Sequence, residues 1–138
     1  MDGFGFSTDL SVRFSETDAQ GVAHNATYLI WFEIGRVAYL DRFRGGYPEL
    51  QAQGIEAFTI EAHVRYLAPA RFAEPVRVHL RCVDVRGARF RFEYAIDHLG
   101  GGPLVADGWT AHACVDAATL RPTRLPDWLR DEIGRAEV

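Results

Sequence analysis

Between Thr27 and Phe43 apolar side chains stand at Tyr28, Leu29, Ile30, Trp31, Phe32, Ile34, Val37, Ala38, Tyr39, Leu40 and Phe43, with no proline and one glycine, Gly35. At about 100° per residue these positions cover almost the whole circumference, which predicts a buried helix that other elements must wrap. Asn25 or Thr27 is expected to cap its start, and Gly45-Gly46 followed by Pro48 to close its end.

Elsewhere the period is two. Leu10, Val12 and Phe14 alternate with Ser11 and Arg13, which predicts a half-buried strand before the helix. Tyr47 to Gly54 reads as a loop or short turn. Phe58, Ile60, Ala62, Val64 and Tyr66 then face one way and Thr59, Glu61, His63 and Arg65 the other, a strand with one wet face that ends before Pro69. Val76, Val78, Leu80 and Cys82 are joined through a turn at Arg86-Gly87 to Phe90, Phe92, Tyr94 and Ile96, the pattern of an antiparallel hairpin. Gly100-Gly101-Gly102-Pro103 breaks the next connection. Leu104 to Val115 forms a last strand, covered on both faces, and a short helix starts at about Asp127, itself a plausible cap.

This order predicts a single α+β domain over residues 1–138, with one long helix on one face of a five-stranded antiparallel sheet. A flat sheet cannot cover a helix that is apolar all round, so the sheet is expected to curl, with a second subunit supplying the remaining cover.

Composition removes several classes. The formal charge of -4 disfavours a general binder of nucleic acid or anionic membrane. All fifteen basic residues are arginine, for which genome base composition is the simpler cause than selection for anion contacts. No basic segment leads into an apolar run at the N-terminus, and no window approaches about 18 uninterrupted apolar residues, so neither a signal peptide nor a membrane span is expected. Cys82 and Cys114 lie in strand-like runs and read as free buried thiols, which fits a cytoplasmic protein. His63 and His79 form no metal-ligand pattern with either cysteine, and neither a metal nor a cofactor is expected.

The candidate chemistry lies in the stretch from Phe14 to Arg36, where a carboxylate, a glycine and a histidine stand between the first strand and the helix. Asp18 is the leading carboxylate, although an aspartate in such a loop is often only a turn former. Glu16, on the strand end, is expected to face solvent. Glu33 and Arg36, three apart on the helix, are expected to form a structural ion pair.

The run Thr17-Asp18-Ala19-Gln20-Gly21-Val22-Ala23-His24-Asn25-Ala26-Thr27-Tyr28, followed by Phe32-Glu33-Ile34-Gly35-Arg36, resembles the signature of the 4-hydroxybenzoyl-CoA thioesterase family, and especially its Tol-Pal-associated branch. Tyr66-Leu67-Ala68-Pro69-Ala70-Arg71-Phe72, Val115-Asp116 and Arg121-Pro122 extend the likeness over nearly the whole chain. The resemblance implies a hotdog fold, a curled sheet around a central helix, assembled as a homodimer or homotetramer with the site at the dimer interface. It implies that Asp18 is catalytic, as nucleophile or general base on an acyl-CoA thioester, and that a backbone N–H near Asn25 polarises the carbonyl.

The residues suit that chemistry. A thioester has a good leaving group, so a carboxylate near its carbonyl carbon and donors at the developing oxyanion suffice, and a helix N-terminus supplies such donors. Aspartates, with an ordinary pKa of about 3.9, are ionised at neutral pH without special activation. Gly21 is expected to let the loop approach substrate closely, with Val22 and Tyr28 beside it. His24 either acts on the leaving group, orients substrate or caps the turn. CoA carries phosphates, so Arg89 and Arg91, with Arg77 and Arg86 also outward, are candidates to hold it. Two alternatives remain at this point. A hotdog hydratase or dehydratase would carry Asp-x-Asn-Pro-x-His, absent here, and a non-catalytic acyl-thioester binding module would retain Asp18 incidentally.

Overall fold

In the computed structural model, which describes residues 1–138, the chain runs β1 (Phe6–Ser11), α1 (Thr27–Asp41), α2 (Tyr47–Ala52), β2 (Ile55–Tyr66), β3 (Pro75–Arg86), β4 (Arg89–His98), β5 (Leu104–Asp116) and α3 (Asp127–Ala136). The strands form one antiparallel sheet in the order β1-β3-β4-β5-β2. α1 touches β1 and β3 on one side and β2 at the opposite edge, so the sheet wraps it. This is the hotdog arrangement.

The wrapping follows from side-chain size. Trp31, Phe32, Tyr39 and Leu40 are all buried and meet Val78, Leu80, Phe92, Tyr94 and Ile96 from the sheet. Each such side chain contributes about 1.5–3 kcal/mol by leaving water. Phe32 lies flat on Tyr94 with ring centroids 3.9 Å apart, and Tyr39 stands edge-on to both Phe6 and Phe92. Gly108 on β5 makes room for this packing. A Cβ there would overlap the His63 carbonyl oxygen and press on the Phe32 ring at 3.0 Å.

Several expectations change. The first strand stops at Ser11, opposite Pro75, and the chain then folds into a 3-10 turn at Phe14–Glu16. Val12 is therefore buried but Phe14 is 75% exposed. Residues Tyr47–Ala52 are a short helix, not a loop. α1 is not covered all round: Leu29, Ile30, Ile34 and Val37 form an open stripe on the single chain. Neither Asn25 nor Thr27 caps α1, and Pro126 rather than Asp127 precedes α3 at the cap position. On β2, Phe58, Ile60 and Tyr66 are exposed: Ile55 and Ala57 take the core side, Thr59, expected on the wet face, reaches buried His112, and a bulge between Thr59 and Glu61 shifts the register. The two cysteines are free and buried.

The expected Glu33–Arg36 ion pair is not made. Arg36 instead turns into the core, where its Nη1 donates to the Tyr94 hydroxyl at 3.1 Å. Tyr94 Oη is 2.6 Å from Thr110 Oγ1, Thr110 Oγ1 is 2.7 Å from His112 Nε2, and His112 Nδ1 is 3.3 Å from Thr59 Oγ1 on the edge strand. A guanidinium can only donate and the Tyr94 and Thr110 hydroxyls have no other acceptor in the chain, so satisfying each hydroxyl proton sends the bonds onward and assigns the His112 proton to Nδ1. Burial, with the Arg36 charge second, pushes the His112 pKa down to about 3, and the ring stays neutral.

Gly108→Ala should lower the unfolding free energy by at least about 2 kcal/mol, since neither the His63 backbone nor the Phe32 ring has room to retreat. Urea denaturation followed by circular dichroism measures it, and a midpoint equal to wild type would contradict this packing.

Candidate active site

The segment from Thr17 to Ala23 is a tight loop closed on itself. Thr17 and Ala23 form an isolated bridge, Val22 bridges to Arg71, and Ala23 N–H donates to Ala70 O at 2.7 Å. Within it, Asp18 N–H donates to Val22 O and Gly21 N–H to Asp18 O, both at 2.9 Å. Gly21 has φ +79°, the left-handed region that the turn requires. The Asp18 carboxylate accepts one bond from the loop, Gln20 N–H to Oδ1 at 2.8 Å. The turn-former reading is thus half right. Oδ2 makes no hydrogen bond within the chain and remains available for other chemistry.

His24 joins this loop to the helix. Its backbone N–H donates to Glu16 O at 2.7 Å, and its carbonyl accepts from Thr27 N–H at 2.9 Å. The ring Nδ1 accepts Ala26 N–H at 3.1 Å, so in the neutral ring the proton sits on Nε2 and that nitrogen is a donor. His24 therefore caps the turn that leads into α1, while no side chain caps the helix itself. Asn25 O accepts the Tyr66 hydroxyl at 2.9 Å, while Asn25 N–H has no acceptor in the chain. An unpaired N–H at a helix start beside a half-free carboxylate is an arrangement suited to a polarised carbonyl.

Asp18, Val22, His24, Asn25 and Tyr28 line one cavity of about 620 Å³, with Tyr66 to Pro69 as its far wall. Five of the expected residues are therefore brought together. Gly21 is not among them: a Cβ on it would meet open space, so its role is the turn and not a close approach. Arg89 and Arg91 line a different cavity of about 520 Å³, with Arg86 and Trp109. There Arg91 is 3.3 Å from Asp84 and lies over the Trp109 ring at 4.6 Å. Tyr28 packs edge-on against Tyr66 at 5.1 Å, and burial, foremost, keeps its phenol pKa raised and the group neutral.

Tyr66, absent from the expected site residues, lines the same cavity as Asp18. The alternation of β2 places it on the dry face, but at the strand end its ring is half exposed and its hydroxyl reaches Asn25 O. Glu16, expected in solvent, is only 6% exposed. No group of three or more His, Cys, Asp or Glu side chains could share a metal ion, and no helix is long and apolar enough to cross a membrane.

Residues 12–133 match the model of the thioesterase-like superfamily. The chain is 28% identical over 123 residues to the acyl-CoA thioesterase YbgC of Haemophilus influenzae, covering 88% of this chain and 89% of that protein. It is 29% identical over 140 residues to a 1,4-dihydroxy-2-naphthoyl-CoA hydrolase of a Synechococcus strain, covering 92% and 91%. In structure it is similar to a Thermus thermophilus thioesterase solved with coenzyme A and zinc, with a TM-score of 0.83, 26% identity and coverage of 99% and 97%.

His24→Ala removes the acceptor of Ala26 N–H and should cost about 1 kcal/mol of stability, the typical net worth of one hydrogen bond. Thioester hydrolysis should fall by clearly less than about 100-fold, the level typical of a required proton donor. Thermal unfolding and steady-state kinetics on the same preparation check both, and a loss equal to that of removing the Asp18 charge would contradict the capping role.

Proposed function

The chain belongs to the thioesterase-like superfamily, and on that footing we propose that it hydrolyses an acyl-CoA to the free acid and coenzyme A. The observation that carries this reading is the pairing, on one cavity, of the unbonded Asp18 Oδ2 with the unpaired Asn25 N–H. Asp18 acts on the carbonyl carbon, and the carbonyl oxygen takes the Asn25 N–H as its charge develops. As nucleophile, Asp18 forms a mixed anhydride as the C–S bond breaks, and water then cleaves the anhydride. As general base, it draws a proton from the water that adds to the carbon. Either way one water is consumed, and one acid and one thiol are released. His24 Nε2–H is placed to orient the substrate or to meet the departing sulfur.

The motif from Asp18 to Tyr28 supports reading the chain more narrowly as a member of the 4-hydroxybenzoyl-CoA thioesterase family. The arginine cavity beside Trp109 fits the nucleotide phosphates of coenzyme A, with Arg89 and Arg91 as its cations. A homodimer, or a tetramer of two such dimers, accounts for the exposed apolar residues of the β2 edge and for the open stripe of α1. A cytoplasmic setting completes the reading, in keeping with two free cysteines. Light scattering at micromolar concentration should give at least twice the 15.5 kDa chain mass, and a monomer would remove the assembly from the proposal.

The decisive experiment is Asp18→Asn, which keeps the shape and removes the charge. With a panel of acyl-CoAs and thiol release as the signal, kcat should fall by at least about 100-fold, some 2.7 kcal/mol of barrier, while acyl-CoA binding and folding persist. Hydrolysis at the wild-type rate by folded Asp18→Asn would take Asp18 out of the mechanism. A wild type that binds acyl-CoAs but cleaves none of the panel would favour a binding module instead.

A further inference from the structure

Glu16 lines neither cavity, yet it is tied to the loop and to the helix start that build one side of the first. Its carboxylate accepts Arg13 N–H at 2.8 Å, the Arg13 guanidinium at 3.3 Å and the Trp31 indole N–H at 3.1 Å. Its carbonyl accepts His24 N–H at 2.7 Å and faces Thr27 Oγ1 at 3.4 Å. The catalytic loop thus begins one residue after Glu16 and ends bonded to it, while Trp31, fully buried, fixes the same carboxylate to the first turns of α1. A buried carboxylate is costly unless its oxygens are filled, and here donors from two elements fill them.

We infer that Glu16 is a positioning residue for the proposed hydrolysis: by holding loop and helix start together, it sets the spacing between the Asp18 carboxylate and the Asn25 N–H. The inference rests on the thioesterase reading of that cavity. Misplacement of reacting groups by about 1 Å can cost about two orders of magnitude in rate, and the Glu16 side chain joins the 3-10 turn that leads into the loop to α1, while its carbonyl holds His24. Burial acts to raise its pKa, but the hydrogen bonds from the Arg13 backbone, the Arg13 side chain and Trp31 together outweigh it and hold the carboxyl below its ordinary range. The stabilisation is therefore complete above the ordinary glutamate pKa and is lost only as pH falls through the lowered folded value.

Glu16→Gln keeps the volume but turns one oxygen into a donor that faces other donors. In the folded variant kcat should fall by about tenfold or more, with KM for acyl-CoA unchanged within about twofold, because binding surfaces are untouched while the reacting groups are misaligned. Trp31→Phe, which keeps the ring and removes only the indole donor, should lower kcat in the same direction by about threefold. It decides the matter if Glu16→Gln does not fold. A kcat within about twofold of wild type, or a rise in KM at unchanged kcat, would show that Glu16 only stabilises the fold and would overturn the inference. The proposed function would survive that result, since wild type would still hydrolyse the panel. A wild type inactive on the whole panel would overturn both.

Discussion

The fold depends on giving one helix, loaded with large aromatic side chains, enough surface to press against. Trp31, Phe32 and Tyr39 cannot be covered by a planar sheet, and the close stack of Phe32 on Tyr94 requires β4 and β5 to come up around the helix. Once α1 is seated in this way its direction and height are fixed, and so is its N-terminal turn. That turn opens at the mouth of the cavity because the sheet leaves it uncovered there. The chemistry of the site is therefore a by-product of core packing: the unpaired Asn25 N–H stands where it does because Trp31 and Phe32, a few residues on, have nowhere else to go.

Some of this was legible in the chain and some was not, for physical reasons. The β3–β4 hairpin and the central helix are local patterns and appear where the sequence periods put them, whereas the first strand ends earlier and the alternation of β2 is broken by its bulge. Asp18, Val22, His24, Asn25 and Tyr28 are close in sequence, so one contiguous motif exposes them together. Tyr66 comes from 41 residues beyond Asn25, and only the return of β2 to the helix start brings it there. Glu16 misled because a charged residue near a loop is usually wet, and its burial depends on an indole fifteen residues away. Arg36 misled in the same sense: local spacing favoured Glu33, and the tertiary fold offered Tyr94 instead. Phe14 kept a strand's alternation after the strand had ended, since the ladder stops at a proline on the facing strand.

The series of donors from Arg36 to Thr59 links four elements, α1, β4, β5 and β2, through a one-way sequence of hydrogen bonds. A valine at Thr110 would strand the Tyr94 hydroxyl and the His112 ring at once, and an aliphatic residue at Arg36 would release the direction of every bond after it. Such a group does not drift one position at a time. In descendants of this chain Arg36, Tyr94, Thr110, His112 and Thr59 should be inherited as a set or replaced as a set, and the sheet edge should carry in Thr59 the trace of which choice was made.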